Sequence, residues 1–236
     1  MEKSVGTGSL RMQNINSAVS SKQQAVISVC LTSAYLAPVE YYVALANAET
    51  AFLEQFDSYE KQTYRNRCNI LTANGISFLS VPVEKFSGAK ILTRDIRISE
   101  HNDWQIQHWR SIESAYNSSP FFEFYKDDFQ PFYEKKWDFL WDFNIELQAK
   151  VLELLDLQPN LKFTDNYQPI LNEGVDDLRE SIHPKKASQT ENLKPYYQVF
   201  EQRFGFQKNL SIVDLLFNMG NESQLIVGLQ LSPFGR

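Results

Sequence analysis

Lys61, Arg65 and Arg67 place three cations within one short segment of a chain whose formal charge is −6. A local cluster of that kind suits a phosphate or a carboxylate, because arginine presents a planar fork of donors matching two anionic oxygens at once. Asn66 adds an amide between the two arginines, while Tyr64 and Tyr59 interleave rings that can stack on a base or a sugar. The competing assignment is structural, with Glu54, Asp57 and Glu60 neutralising the same cations in an ion-pair network. His108 is the second candidate. On a helix starting near Asp103 it shares a face with Trp104, Ser111 and Ala115, at the edge of an apolar stripe. From such an edge an imidazole can enter a cleft as a general acid or base; packed on Trp104 and bonded to a backbone carbonyl, it is structural instead. His183 precedes Pro184, Lys185 and Lys186, a basic stretch that either closes over a bound anion as a lid or stays a solvated loop.

Other chemistries lack their residues. His101 and His108 are too far apart in sequence for the i,i+4 spacing that puts two metal ligands on one helical face, and no H-E-x-x-H or cysteine pair occurs, so no metal site is expected. There is no G-x-S-x-G nucleophile turn. With 9 glycines, neither G-x-G-x-x-G nor the P-loop pattern is present, and no particular cofactor is indicated. Cys30 lies in an apolar run and reads as a small buried hydrophobe. Cys68, between Arg67 and Asn69, is a candidate reactive thiol. An excess of 29 acidic over 23 basic side chains argues against sequence-independent nucleic-acid binding. No apolar run approaches the roughly 18 residues of a membrane span, and the polar N-terminus lacks a signal-peptide core. The expected location is cytoplasmic.

The elements that must position these residues follow from periodicity. Residues 1–24, rich in Ser, Asn and Gln, are expected to be a disordered tail or an upstream start-site extension. One domain is expected over residues 25–236. Val26 to Leu31 has the β-branched content of a buried strand, Pro38 opens a short helix over Val39 to Ala48, and Thr50 to Gln55 reads as a second strand. Strand, helix, strand is a parallel βαβ unit. Asn74-Gly75 marks a turn, and Ile76 to Val83 and Ile91 to Ile98 are expected strands. Beyond them the pattern turns helical. Asp103 is the expected N-cap of a helix whose apolar stripe is Ile106, Trp109, Ile112 and Tyr116. Helices are expected at Phe121 to Phe129 and at 138–155, the latter with an outer Glu146–Lys150 pair. A strand at Leu161 to Phe163, a helical piece at Val175 to Ser181 and a mobile loop from His183 to Asn192 follow. Ser211 and Asp214 match a capping box, Leu210 and Leu215 a hydrophobic staple, and Gly220 a helix stop. The class is α/β: a single domain with a small, mostly parallel Rossmann-like sheet flanked by helices, and a helix-rich C-terminal half.

Several segments in this order resemble the WbqC-like protein family. They are Ala34-Tyr35-Leu36-Ala37-Pro38 with Glu40-Tyr41-Tyr42, Tyr59 through Ile70, Ala73-Asn74-Gly75, Val81-Pro82-Val83, Asp103-Trp104 leading to His108-Trp109-Arg110-Ser111-Ile112, Ser119-Pro120-Phe121-Phe122, Ile182-His183-Pro184-Lys185, and Leu210 through Asn218. The chain departs from the family at Ala37-Pro38, where Pro-Pro is common, and at Glu40, where Gln is common. Family members are similar to proteins encoded beside surface-polysaccharide genes, O-antigen clusters included. The resemblance therefore implies a bacterial protein that modifies, or transfers a group to, a nucleotide-activated or lipid-linked sugar. Lys61, Arg65 and Arg67 would hold the anionic part, Trp104 and the tyrosines would stack, and His108 would handle a proton. The other role it implies is a non-catalytic accessory protein that binds polysaccharide-synthesis enzymes or their nucleotide-sugar ligands.

Overall fold

Ser28–Thr32 forms the central strand β1, and the helix α1 (Val39–Asn47) returns the chain to a parallel neighbour, β2 (Ala51–Glu54). The expected βαβ unit is therefore present. Seven consecutive residues of α1, Val39 to Leu45, are buried. A helix covered on all sides belongs inside a domain rather than on its surface, which agrees with its contacts to α6 (Ile212–Met219) and α7 (Ser223–Gly228). The protein is described here from a computed structural model that covers residues 28–85, 90–188 and 193–228. The expected tail at 1–24 lies outside those residues, as do positions 189–192 of the basic loop.

Two further parallel strands complete the sheet. β5 (Leu161–Phe163) pairs with β2, and β6 (Val175–Asp177) pairs with β1, giving the order β5-β2-β1-β6. The helix expected over Val175 to Ser181 is thus a strand followed by a turn. Its charges suggested a helical surface, but Ser28 and Leu178 donate backbone hydrogen bonds across to Gly174 and Cys30, so the sheet takes this segment. A separate antiparallel hairpin joins β3 (Arg67–Thr72) to β4 (Gly75–Ser80) through the expected turn, with Gly75 at φ 100°. β3 has polar residues at Arg67 and Asn69 but buries Cys68 and Ile70. That alternation is the period of a half-buried strand, hidden in the sequence by its basic surroundings.

The strand expected over Ile91 to Ile98 does not form. The segment makes a 3₁₀ turn at Thr93–Asp95 and pairs one residue at a time with Ser58, Val83 and Phe139. After it come the helices α2 (Trp104–Tyr116), α3 (Phe122–Glu134) and α4 (Leu140–Leu154). α3 runs past Phe129 and through Pro131. Asp103 does not cap α2; it sits in the left-handed region (φ 44°) and makes no side-chain cap bond. The buried face of α2 is Trp104, His108, Ile112, Ala115 and Tyr116, whereas Ile106 is 50% exposed. The Glu146–Lys150 pair is replaced by Lys135–Glu146 and by Lys150 with Asp128 and Glu153.

Near the end of the described chain, Ser211 and Asp214 do not form a capping box. Ser211 donates its hydroxyl to the Leu36 carbonyl, and Asp214 accepts from Tyr196 and Gln198. Gly220 does stop α6, at φ 55° and ψ −133°. A Cβ there would lie 2.6 Å from the Phe121 ring. Gly220→Ala combines backbone strain with a core clash and is expected to cost about 2–4 kcal/mol. Urea unfolding should read this as a lower midpoint at unchanged slope.

Candidate functional site

Open parallel sheets place their ligand crevice outside the carboxyl ends of the strands, where the strand order reverses. In the order β5-β2-β1-β6 the chain steps from β1 outward through β2 to β5, then crosses back to lay β6 on the other side of β1. The reversal falls between β1 and β6. At that edge stand Thr32, which ends β1, and Ser33; Glu54, which ends β2, and Asp57 beyond it; and Asp177, which ends β6, with Arg179 and Glu180 following.

Arg65 enters from the loop between β2 and β3 and is 2% exposed. Its Nη2 lies 2.5 Å from Asp57 Oδ2 and 3.1 Å from Glu180 Oε1. Nε also donates to Asp57 Oδ2, and Nη1 donates to Thr63 Oγ1. Asp57 Oδ2 accepts in addition from the Thr32 hydroxyl, which ties the end of β1 to the same carboxylate. Asn144, on α4, donates to the Arg65 carbonyl. Burial alone would lower the Arg65 pKa, but the Asp57 carboxylate overcomes that and holds the guanidinium charge.

Arg179 repeats the arrangement. Its Nε and Nη2 bind both oxygens of Asp177, and Nη1 reaches Glu54 Oε2 at 3.3 Å. Each arginine thus has one buried carboxylate partner and one more accessible partner. The Asp57 and Glu54 side chains are 6% and 0% exposed, against 59% for Glu180 and 44% for Asp177. An incoming anion can replace the outer partner without uncovering the inner one. Ser33 Oγ, Asp57 Oδ1 and Thr93 Oγ1 are buried there without a hydrogen-bond partner among the described residues. Native structures rarely leave such atoms unpaired except where a ligand, a water or chemistry uses them.

The neighbouring candidates of the basic segment point elsewhere. Lys61 is exposed. Arg67 lies over the Phe78 ring at 4.3 Å. Tyr64 is buried, and its carbonyl accepts from the Tyr35 N–H. Asn66 donates to the Val81 carbonyl and the Ser80 hydroxyl. The segment 180–186 does come to Arg65: Glu180 pairs with it, and Lys186 Nζ donates to the Glu180 carbonyl at 2.6 Å. His183 Nδ1 accepts from the backbone N–H of Lys185, whose side chain is exposed.

His108 and Trp104 sit in the aromatic core. Nδ1 of His108 is 2.9 Å from the Tyr35 hydroxyl, which is 2.9 Å from that of Tyr133. Trp104 packs edge-on against the imidazole, and Phe143 stacks on Tyr35. Burial pushes the His108 pKa down to about 4, although a backbone bond at Ser80 acts the other way. The ring is neutral at ordinary pH. Both cysteines are buried as well, so Cys68 is no exposed thiol: desolvation raises Cys30 to about 12 and Cys68 further. Among the described residues no group of three or more His, Cys, Asp or Glu is arranged to hold a metal, and no helix is long and apolar enough to cross a membrane.

Arg179 and Glu180 were not among the residues singled out from sequence. Their signal was the dense run Asp176-Asp177-Leu178-Arg179-Glu180, whose chemistry is visible only once Asp177 is known to end a strand.

A model described as the WbqC-like protein family matches residues 33–183, which include Asp57, Arg65, His108 and the Asp177–Glu180 turn. A protein of Mycobacterium tuberculosis (strain ATCC 25618 / H37Rv) named "Uncharacterized protein Rv1507c" is 26% identical over 205 residues, covering 73% of this chain and 87% of that protein. No solved structure matches.

Two measurements check the energetics. Arg65→Leu leaves Asp57 buried and uncompensated and is expected to cost about 3–5 kcal/mol, whereas Glu180→Gln should stay within about 1 kcal/mol of wild type in urea unfolding. The second is pH dependence. His108 has a folded pKa of about 4, below its ordinary 6.5, so its stabilising contribution is complete above pH 6.5 and drains as pH falls towards 4. The loss amounts to roughly 3 kcal/mol. Asp214 has the opposite sign. Burial raises it from 3.8 to about 6, so its contribution is complete below its ordinary pKa and is lost as pH rises through 6. Between pH 7 and 4, His108→Gln should therefore flatten the acid loss of stability and Asp214→Asn should steepen it.

Proposed function

Because the chain belongs to the WbqC-like protein family, we propose that it acts in bacterial surface-polysaccharide synthesis, binding a nucleotide-activated or lipid-linked sugar and positioning it for group transfer. The observation that carries this reading is the Arg65–Glu180 pair at the carboxyl edge of the sheet: a buried, permanently charged fork whose outer partner is 59% exposed. A substrate phosphate takes the place of Glu180 on Arg65, gaining a charge-assisted hydrogen bond in a partly desolvated setting. The 183–186 turn is anchored by Lys186 on the Glu180 carbonyl, and in this reading His183 and Lys185 add contacts to the bound substrate.

Transfer to a sugar hydroxyl or amine releases a proton; Asp57 stays charged as the inner partner of Arg65, so the carboxylate at this edge able to take the proton is Glu180, released from Arg65 by the incoming phosphate and 59% exposed. His108 is a poorer choice: it is 7% exposed and bonded to Tyr35, and burial pushes its pKa down to about 4, which makes the imidazole a weak base. It acts as a strut that positions Tyr35 beneath the loop carrying Tyr64 and Arg65. Lys61, Arg67, Asn66 and Trp104 then contribute to the stability of that loop and its surroundings rather than to a shared pocket.

A second reading, a non-catalytic accessory or ligand-binding protein of polysaccharide synthesis, is favoured by one observation: the histidine of the core and both cysteines are buried and uncharged. Thermal shift against UDP-N-acetylglucosamine, GDP-mannose and dTDP-glucose separates the outcomes. At least one should raise the melting temperature with increasing concentration, stabilising by about 2.7 kcal/mol at a hundredfold its Kd. Glu180→Ala should tighten that binding severalfold, and Arg65→Lys, which keeps the charge but not the fork, should weaken it at least tenfold. A folded wild type that responds to none of the three would sink the ligand reading. Binding without turnover in the presence of acyl donors would select the accessory role.

A further inference from the structure

A cavity of about 260 Å³ opens between the sheet and residues 163–172, with Glu54 in its lining. Cys30, Phe52 and Glu54 alternate onto one face of β1 and β2, since Cys30 is in register with Phe52 and Thr32 with Glu54. Phe52 and Val175 make an apolar floor there, and Glu54 reaches the cavity from the strand end. The loop supplies Asp165, Asn166, Gln168 and Asn172, four exposed side chains that make no hydrogen bond among the described residues. Arg179 clasps this loop to the sheet: Nη1 donates to the Gln168 carbonyl at 3.0 Å, and the guanidinium lies 5.1 Å from the Tyr167 ring.

The lining selects its ligand by what it has and what it lacks. It holds two carboxylates and three carboxamides, and no Lys, Arg or His. An anionic group would meet the exposed Asp165 carboxylate, while the nearby Arg179 already gives Nη1 to Glu54 and the Gln168 carbonyl and Nε and Nη2 to Asp177. Carboxylates and carboxamides together offer acceptors and paired donors, the set that satisfies neighbouring hydroxyls on one ring. The apolar floor suits the C–H face of such a ring. The volume lies just below the ~300–1,000 Å³ of drug-sized sites, which fits one ring rather than a nucleotide.

We infer that this cavity takes a single pyranose ring carrying no negative charge. The inference rests on the reading above, with the ring here and the phosphate at Arg65. It names the sugar end of the substrate as uncharged or amino-substituted, not a uronic acid or a sugar phosphate.

Saturation-transfer NMR on the full-length protein tests it with glucose, N-acetylglucosamine and glucuronate as probes, and with UDP as an independent probe of the Arg65 edge. The two neutral sugars should give transfer, and glucuronate should give at least fivefold less. Asn172→Trp, which fills the mouth, should abolish the neutral-sugar signal and leave UDP unchanged. If that variant does not fold, the Asp165→Ala/Gln168→Ala double variant, altered only at exposed side chains, must lower the signal at least fivefold. Absence of neutral-sugar transfer in folded wild type overturns the inference. So does a signal that survives in a folded variant, or glucuronate binding equal to glucose. UDP binding retained while the sugars fail would leave the Arg65 reading standing and the cavity assignment refuted; sugars binding without UDP would do the reverse.

Discussion

One buried guanidinium holds the carboxyl edge of this protein together. Arg65 is 2% exposed, and a cation removed from water costs several kcal/mol unless its charge and donors are met. Asp57 meets the charge, Thr63 and Glu180 meet further donors, and Thr32 bonds the same Asp57 oxygen. These contacts draw together the ends of β1 and β2, the approach to β3, and the turn after β6. Asn144 adds α4 through the Arg65 carbonyl. Segments far apart in the chain are therefore held at one place by the need to satisfy one charge.

The aromatic core supports that edge from behind. Tyr35 donates its backbone N–H to the Tyr64 carbonyl, its hydroxyl meets His108 and Tyr133, and its ring stacks with Phe143. It thus couples the loop that carries Arg65 to α2, α3 and α4. A fully buried hydroxyl between two polar partners keeps all three satisfied without a charge. This is why a histidine is tolerated among Trp104, Phe143 and Tyr35: it stays neutral and acts as a donor or acceptor within the packing.

Two arginines and four carboxylates at the strand ends give the edge an acidic balance with cationic cores. Each arginine is locked from inside by a buried carboxylate and guarded from outside by an accessible one. The inner pair keeps the fold intact whatever happens at the surface. The outer pair can be exchanged at small cost, because exposed ion pairs contribute little to stability. A site built in this way is preorganised for an anion without leaving a bare cation buried when no ligand is bound.

Much of this was legible in the amino-acid order. The run Ser28 to Leu31, the helix after Pro38 and the strand before Gln55 carry local periodicity strong enough to specify a βαβ unit, and the ordered motifs point to the family. Arg65 stood out by residue type and spacing, as did Asp57 as its neutraliser. What the chain order did not reveal was direction. Lys61, Arg65 and Arg67 are neighbours in sequence, yet one is exposed, one is buried in ion pairs and one lies on Phe78, because a loop turns its side chains by backbone angle rather than by a fixed period. The Val175–Asp177 strand was hidden for a related reason: three residues carry too little pattern to outweigh their charges, and only hydrogen bonds to β1 make them a strand. Local periodicity determined the class and the central elements of this protein; long-range pairing and the cost of burying charge decided which side chains share the site.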